Sequence, residues 1–244
     1  MKKIMLYLTS LGLNDELDIT LKGLEAIKKS KHIYLENYTS KLQTSKEKLE
    51  KLYKKEIILA DRSLVESDNN EILKNAKTSK VSFLVIGDIF SATTHQDLLQ
   101  RAKKLKIKTE IIHNTSILTA VGVTGLSLYK FGQTTSIPFN HENIKTPIEV
   151  LKKNKSIGLH TLFLLDLDPK NNKYLTAKQA AKYLIKNKIK GKCLACYQLG
   201  SDKQEIHYID LNKVKDINKF PQCLILPGNL HFMEEEALET WNKS

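Results

Sequence analysis

One stretch of the chain, Val81 to His95, most constrains how it can fold. The stretch begins with an uninterrupted apolar run, Val81–Ile86, which ends abruptly at Gly87-Asp88. Small and hydroxyl residues follow, and a helical apolar stripe then continues at Leu98, Leu99, Ala102 and Leu105. This pattern is typical of a buried parallel strand that delivers a loop at its carboxyl end and then a helix. Because open α/β sheets bind ligands at that edge, the sequence predicts a ligand-binding loop here.

Two interpretations of Gly87 and Asp88 fit the residues alone. A glycine has no Cβ, so the backbone at Gly87 can approach a ligand closely, and Asp88 places a carboxylate beside it. Alternatively, the pair forms an ordinary strand-to-helix turn in which Asp88 is the N-cap of the following helix.

Strand and helix patterns alternate through the first half of the chain. This alternation predicts a parallel α/β sheet in an N-terminal domain of residues 1–113. The predicted strands are Ile4–Leu8, Ile33–Leu35, Ile57–Leu59, Val81–Ile86 and Lys108–His113. The predicted helices are one capped by Thr20, Leu42–Leu52, Glu71–Ala76 and the one that follows His95.

The second half, residues 114–244, predicts a C-terminal domain with a mixed sheet. Gly200-Ser201-Asp202 lies between two strand patterns and favours an antiparallel pair. The predicted strands are Thr134–Phe139, Ser156–Leu167, Cys193–Tyr197, Glu205–Ile209 and Gln222–Leu226. The predicted helices are Pro147–Leu151, Thr176–Asn187 with Ala180, Ala181, Leu184 and Ile185 facing inward, and His231–Trp241.

The charge balance of the chain allows two readings. The formal net charge is +12, from 39 Lys plus Arg against 27 Asp plus Glu. The cations are mostly lysines scattered over helix faces, which is typical of a solvated surface; the alternative is attraction to an acidic partner, protein or RNA. No apolar run reaches the roughly 20 residues that span a bilayer, and no signal peptide is evident. We therefore expect a cytoplasmic protein with no membrane partner.

The three cysteines do not predict a metal site. Cys193 and Cys196 have the spacing of metal ligands, but they lie in a strand pattern, where positions three apart point to opposite faces. Core packing is the better interpretation of these thiols. The sequence also contains no Rossmann or P-loop fingerprint, no nucleophile elbow and no His-Glu-x-x-His helix. From its residues alone, the chain is predicted to be an α/β protein that binds a small molecule.

Most of the chain resembles the archaeal diphthine synthases. The matching stretches are MLYLTSLGLNDELDITLKGLEAIKKSKHIYLENYTS (Met5–Ser40), GDIFSATTH (Gly87–His95), HNTSILTAVGVTGLSLYKFGQ (His113–Gln133), GLHTLFLLDL (Gly158–Leu167), YLTAKQA (Tyr174–Ala180) and LPGNLHFMEEEAL (Leu226–Leu238). The resemblance implies the two-domain tetrapyrrole-methylase fold, a homodimer, and S-adenosylmethionine in the cleft between the domains. It implies that the substrate is a histidine of translation elongation factor 2 that bears a 3-amino-3-carboxypropyl group. The family methylates that amino group to give diphthine, in diphthamide biosynthesis.

The resemblance also implies a set of cofactor-binding residues, while no metal site and no stable nucleic-acid partner are expected. The set comprises Leu13, Asp88, Ser91, Ser116, Ile117, Leu165, Leu199 and Gln222. Without the resemblance, the apolar members would be read as core residues, and the serines as helix caps. On the same reading, His95 and His160 would be hydrogen-bonded residues rather than bases. No catalytic residue is identified, because no dedicated base is evident and solvent can take the proton of the amine.

Several positions depart from the family pattern. Ile89 replaces the proline of Gly-Asp-Pro, and Ser10 stands where the family usually has glycine. Gln198 occupies an arginine position, and Gln222 occupies a histidine position. Two other functions remain open: a non-enzymatic, basic module associated with RNA or the ribosome, and methylation of a tetrapyrrole by the same fold.

Overall fold

The computed structural model describes residues 4–67 and 70–242. The chain forms two compact units, Met1–Leu118 and Thr119–Ser244. Each unit is built on a five-stranded sheet, parallel in the first and mixed in the second. The predicted fold class is therefore confirmed, while the predicted boundary between residues 113 and 114 stays a prediction.

The first unit has a parallel sheet with the strand order β3-β2-β4-β1-β5. Its strands are β1 (Met5–Ser10), β2 (His32–Glu36), β3 (Ile58–Ala60), β4 (Lys80–Val85) and β5 (Thr109–Ile112). Its helices are α1 (Leu21–Lys29), α2 (Lys46–Tyr53), α3 (Arg62–Glu66), α4 (Glu71–Ala76) and α5 (Gln96–Lys104), and α6 (Ile117–Ala120) contains the point where the two units divide.

Both faces of β4 are buried, which explains its continuous apolar run. Val81, Phe83 and Val85 pack in one hydrophobic cluster with residues of α4 and α5. Leu84 packs in a second cluster with residues of α1 and α2. Strands covered by helices on both faces of a parallel sheet have this composition.

The observed helix starts decide three predictions. Thr20 caps α1 as predicted, because its hydroxyl accepts the N–H of Gly23 at 3.0 Å. The predicted start of α2 at Leu42 is wrong: the helix begins at Lys46, where Ser45 is the N-cap. The interpretation of Asp88 as an N-cap is also wrong, since α5 begins at Gln96 and its N-cap position is His95.

The second unit has a mixed sheet with the strand order β11-β10-β12-β7-β6, in which only β6 and β7 are parallel neighbours. Its strands are β6 (Thr135–Ile137), β7 (Thr161–Leu165), β8 (Leu167–Asp168), β9 (Lys173–Tyr174), β10 (Lys192–Tyr197), β11 (Glu205–Asp210) and β12 (Gln222–Leu226). Its helices are α7 (Thr146–Ser156), α8 (Ala177–Lys186) and α9 (Phe232–Glu239). The predicted antiparallel pair is confirmed as β10 and β11.

Two details predicted for the second unit are wrong. The predicted strand over Ser156–Leu167 is too long, because α7 continues to Ser156 and Gly158 turns the chain with a φ of +75° before β7. Ile157 in this turn is 67% exposed, so its apolar character does not reflect burial. Ile185 was expected to face inward from α8 but is 41% exposed, since Ala177, Ala181 and Leu184 form the buried stripe.

The cysteines are buried in the second sheet, as predicted. Cys193 packs in the main core of the second unit, and burial raises its pKa to about 12. Cys196 lies opposite Cys223 on the neighbouring strand. Within residues 4–67 and 70–242, the helices are too short or too polar to cross a bilayer.

Candidate functional site

The carboxyl edge of the parallel sheet in the first unit brings together loops from three adjacent strands. These strands are β4, β1 and β5, and the loops that follow them begin at Ile86, Leu11 and His113. The first two loops are joined by a backbone bridge: Gly87 donates to the carbonyl of Gly12 at 2.7 Å, and Gly12 donates to that of Gly87 at 3.2 Å. The strand-end loop predicted from the sequence is thus part of a three-loop edge.

Gly87 lies where the loops after β4, β1 and β5 approach one another. Its φ is +80°, a conformation that favours glycine. A Cβ at Gly87 would lie 3.7 Å from Cδ2 of Leu13 and 3.9 Å from Cα of Ser116. Two of the predicted cofactor residues, Leu13 and Ser116, therefore lie beside Gly87.

The Asp88 carboxylate accepts hydrogen bonds from several segments of this edge. Its Oδ2 accepts hydrogen bonds from Nδ1 of His113 at 2.8 Å, from the N–H of Asn114 at 3.1 Å and from the Ser10 hydroxyl at 3.4 Å. Its Oδ1 accepts the N–H of Phe90 at 3.1 Å. Burial alone would raise the pKa of Asp88, but these donors together hold it below its usual value. The ionised carboxylate thus ties the end of β1 and the loop after β5 to the loop after β4.

Ser10 and Ile89, which both depart from the family pattern, are hydrogen-bonded to each other. The Ser10 hydroxyl accepts the backbone N–H of Ile89 at 2.9 Å. A proline at position 89 would have no N–H, and a glycine at position 10 would have no acceptor. Both residues are buried, so the serine satisfies a donor that would otherwise be left without a partner. The two departures compensate each other.

The remaining predicted residues of the first unit, Ser91 and Ile117, lie in the same loops. Ser91 donates its N–H to the carbonyl of Asp88 at 3.1 Å. Ile117 directly follows the buried Ser116 and begins α6. The structure therefore brings the five predicted residues of the first unit to one sheet edge.

Sequence reasoning missed one residue at this edge, His113. Its side chain is 67% exposed, although its Nδ1 contacts the buried Asp88 carboxylate. The sequence feature that could have indicated His113 is its position directly after an apolar strand and before Asn114-Thr115-Ser116. Its partner was not predictable, because Asp88 is 25 residues away in sequence.

The three predicted residues of the second unit lie at or just beyond one end of its sheet. Tyr197 pairs with Gln222, and Leu164 pairs with Cys223, which places Leu165 at the same end as Gln222. Leu199 follows β10 two residues after Tyr197 and is buried. The side-chain amide of Gln222 makes two hydrogen bonds within the second unit. It accepts the N–H of Ala177 at 2.7 Å and donates to the carbonyl of Ile217 at 2.6 Å.

A buried polar network lies elsewhere in the second unit. Glu234 pairs with Lys130, and its Oε1 lies 3.1 Å from Nε2 of His160. Because Nδ1 of His160 accepts the N–H of Gly228 at 2.9 Å, Nε2 carries the hydrogen and donates to Glu234. The expectation of a hydrogen-bonded His160 is confirmed.

The same expectation is wrong for His95. Its side chain is 1% exposed, and neither ring nitrogen has a hydrogen-bond partner among the described residues. The ring instead packs edge-on against Phe83 and Tyr38, with centroid distances of 5.1 and 6.0 Å. Burial lowers the pKa of His95 to about 4, so the imidazole is neutral near pH 7.

Comparisons with known proteins agree with this architecture. Residues 5–214 match the family Tetrapyrrole (Corrin/Porphyrin) Methylases. The chain is 43% identical to the diphthine methyl ester synthase of Schizosaccharomyces pombe, over 97% of this chain and 94% of that protein. It is 41% identical to a diphthine synthase of Methanococcus maripaludis, over 96% of this chain and 98% of that one. A crystal structure of diphthine synthase superposes with a TM-score of 0.91 at 35% identity, covering 98% of this chain and 96% of that chain.

These matches confirm the family predicted from the sequence and the prediction of a methyltransferase of diphthamide biosynthesis, and they do not favour the RNA-associated module. The chain belongs to the tetrapyrrole methylase family and, within it, to the diphthine synthases.

Proposed function

We propose that this protein transfers methyl groups from S-adenosylmethionine to a modified histidine of translation elongation factor 2. The acceptor histidine carries a 3-amino-3-carboxypropyl group, and its amino group is methylated to give diphthine. The observation that carries the proposal is similarity over nearly the full length to a eukaryotic protein named diphthine methyl ester synthase and an archaeal protein named diphthine synthase.

The three-loop edge has a suitable chemistry for the methyl donor. When bound, S-adenosylmethionine supplies an electrophilic methyl group on a sulfonium. The N–H and C=O of Gly87 bond to Gly12, but the Leu13 side chain, the Ser116 backbone and the Thr115 carbonyl oxygen all lie within 4.0 Å of where a Cβ at Gly87 would stand. Apolar and backbone polar groups thus lie within a short span. Both carboxylate oxygens of Asp88 accept hydrogen bonds that hold this surface in shape, and Oδ1, which among the described residues accepts only the N–H of Phe90, can accept a further bond from the cofactor.

The proposed cofactor contacts come from both units. From the first unit they are Leu13, Asp88, Ser91, Ser116 and Ile117, and from the second they are Leu165, Leu199 and Gln222. The apolar members exclude water, which favours a transition state in which the positive charge of the sulfonium is dispersed as it passes from sulfur to the acceptor nitrogen. The remaining task of these residues is to position the acceptor nitrogen against the methyl group.

The names of the relatives leave two products to distinguish. Diphthine is methylated on nitrogen, whereas a diphthine methyl ester also carries a methyl group on a carboxylate oxygen. The proposal is tested with isotope-labelled S-adenosylmethionine and elongation factor 2 purified before methylation. Mass spectrometry of the modified peptide counts the methyl groups, and mild base removes an ester but not an N-methyl group.

Two results would contradict the proposal in different ways. No transfer to under-modified elongation factor 2, together with transfer to a tetrapyrrole, would assign the chain to another reaction of the same fold. Binding of RNA with no affinity for S-adenosylmethionine would instead support the non-enzymatic alternative. Calorimetry with S-adenosylmethionine alone separates that alternative from both enzymatic readings.

We also propose a homodimer, which acts in the cytoplasm with elongation factor 2. The 3-10 turn Leu128–Lys130 is joined to the first turn of α9 by the ion pair between Lys130 and Glu234. Both turns expose apolar side chains: Leu128 and Tyr129 on the first, and Phe232 and Met233 on the second. Tyr129 is 88% exposed, and exposed apolar patches of this kind often mark protein contacts. Light scattering after size exclusion tests this, with Tyr129→Glu expected to shift the mass toward a monomer.

A further inference from the structure

The pair formed by Asp88 and His113 has a chemical consequence beyond binding the methyl donor. The two side chains meet at 2.8 Å where β4 and β5 end. The Asp88 side chain is 9% exposed and that of His113 is 67% exposed. A buried carboxylate that holds an accessible imidazole is an arrangement that orients a base.

The hydrogen bond determines which nitrogen of His113 is available. An ionised carboxylate only accepts hydrogen bonds, so Nδ1 of His113 carries the hydrogen that it donates to Asp88. In a neutral imidazole, the lone pair then resides on Nε2. Asp88 is itself fixed by the N–H groups of Phe90 and Asn114, so the imidazole is oriented by a rigid partner.

The other titratable groups of these loops are less suited to accept a proton. Asp18 accepts the N–H groups of Leu13 and Asn14, and Glu16 accepts the hydroxyl of Thr44. Asp15 is a carboxylate, a much weaker base than imidazole. His95 is buried at 1% exposure. Among the described residues of the three loops, His113 therefore combines basicity with access.

We propose that Nε2 of His113 takes the proton from the ammonium group that is to be methylated. This inference rests on the proposed function, because it requires an amine as the acceptor. An ammonium has no lone pair, so one proton must leave before the nitrogen can attack. That proton passes to Nε2 of His113 and then to water. The nitrogen–carbon bond forms as the carbon–sulfur bond breaks, and sulfur keeps the electron pair and departs as a neutral thioether.

A spectroscopic measurement tests the orientation without any turnover. Nitrogen-15 NMR of the free protein, labelled at histidine, is expected to show His113 with its hydrogen on Nδ1 when neutral. Asp88→Asn is expected to weaken this preference, and His113→Gln assigns the signal. A neutral His113 with its hydrogen on Nε2 would overturn the inference, because Nε2 would then have no lone pair.

Kinetics test the proton transfer itself. We expect His113→Gln to lower kcat at pH 7 on the order of a hundredfold, the lower part of the range for general bases. The affinity for S-adenosylmethionine, measured by calorimetry, should change less than threefold. The deficit should shrink as pH rises, because hydroxide then deprotonates the amine, and added imidazole should partly restore His113→Ala. His141→Gln is the matched control: its Nδ1 also lies within hydrogen-bonding distance of an oxygen, the carbonyl of Pro138 at 2.9 Å, and His141 is not a residue of these loops.

Three other outcomes of these measurements would contradict the inference or the proposed function. Unchanged kcat in a folded His113→Gln protein would overturn the inference. A loss of kcat that is equal at all pH values and parallels a loss of affinity for S-adenosylmethionine would also overturn it, by showing a purely structural role. A wild-type protein that neither binds S-adenosylmethionine nor transfers a methyl group would contradict the proposed function, and the inference with it.

Discussion

The Ser10 hydroxyl and the backbone N–H of Ile89 form a 2.9 Å hydrogen bond between the ends of two neighbouring strands, β1 and β4. The same hydroxyl lies 3.4 Å from Oδ2 of Asp88, which is held in turn by His113. One small side chain thus accepts a bond from a buried N–H and donates one to the Asp88 carboxylate. Because of this relationship, the effect of a substitution at position 10 depends on the residue at position 89.

The first prediction is a coupling between these two positions. Ser10→Gly should destabilise the protein by about 1–3 kcal/mol, because the buried N–H of Ile89 loses its acceptor. In an Ile89→Pro background that N–H does not exist, so the same substitution should be less destabilising. Urea unfolding of the four proteins in a double-mutant cycle gives the coupling energy. Equal effects of Ser10→Gly in the two backgrounds would refute the compensation.

The second prediction concerns Asp88. Asp88→Ala should weaken binding of S-adenosylmethionine about tenfold to a hundredfold, because a hydrogen bond to a charged or buried group contributes about 1–3 kcal/mol. The structure adds a second effect: the N–H groups of Phe90 and Asn114 lose their acceptor, so the melting temperature should also fall. Calorimetry and thermal unfolding measure the two effects, with the exposed Asp97→Ala as the control. Unchanged affinity in the folded variant would remove Asp88 from the site.

The third prediction concerns the buried network around Glu234. Burial alone would raise the pKa of Glu234, but Lys130 and the N–H groups of His231 and Ser127 hold it well below its usual value. Glu234→Ala should destabilise the protein by about 3–5 kcal/mol, since it removes the carboxylate partner of the Lys130 ammonium and the acceptor of the Ser127 and His231 N–H groups. Denaturant unfolding measures the loss, and Glu236→Ala on the exposed side of α9 should change stability by less than about 0.5 kcal/mol.

The pH dependence of this network follows from the sign of the shift. A carboxyl group whose pKa is lower in the folded protein stabilises it at pH values above the ordinary pKa. That stabilisation is lost as pH falls below the ordinary value toward the folded one. Wild-type protein should therefore lose more stability between pH 5 and pH 3 than Glu234→Ala does, and equal losses would contradict this assignment.

The fourth prediction concerns His95. Burial lowers the pKa of this residue to about 4. Between pH 6.5, near the ordinary pKa of histidine, and pH 4, the unfolded chain binds a proton that the folded protein does not. Each pH unit in this window should therefore lower the free energy of unfolding by up to about 1.4 kcal/mol. His95→Leu should flatten that dependence, whereas His141→Gln should leave it unchanged. A wild-type acid dependence that persists in His95→Leu would place its origin elsewhere.

Local patterns in the sequence were enough to predict most of the elements. The end of the apolar run at Gly87 located the strand-end loop, and Thr20 located a helix start. Burial was harder to infer, because Ile157 and Ile185 are as apolar as core residues but face solvent. Apolarity shows what can be buried, while the turn at Gly158 and the register of α8 decide what is buried.

The contacts that define the candidate site were not predictable from local sequence. Asp88 and His113 meet because β4 and β5 both flank β1 in the sheet, and strand order is a property of the whole unit. For the same reason, nothing in the residues around His95 indicates that its ring nitrogens lack partners. Only the bond between Ser10 and Ile89 had a sequence signal, since both positions depart from the family pattern. Paired departures of this kind are worth testing as compensating changes.

The final prediction concerns the net charge of +12. Lysines on the surface should speed the encounter with elongation factor 2 rather than supply chemistry, because exposed charges more than about 10 Å apart are largely screened at 0.1 M salt. The kcat/KM for the intact protein substrate should therefore fall as salt rises, while the affinity for S-adenosylmethionine changes much less. An RNA-binding module would behave differently: its affinity for RNA would fall with a steep log–log salt slope from counterion release, independently of S-adenosylmethionine. A salt titration of both activities on one preparation separates these cases. Steep RNA binding without methyl transfer at any salt concentration would overturn the enzymatic function and favour the RNA-associated module.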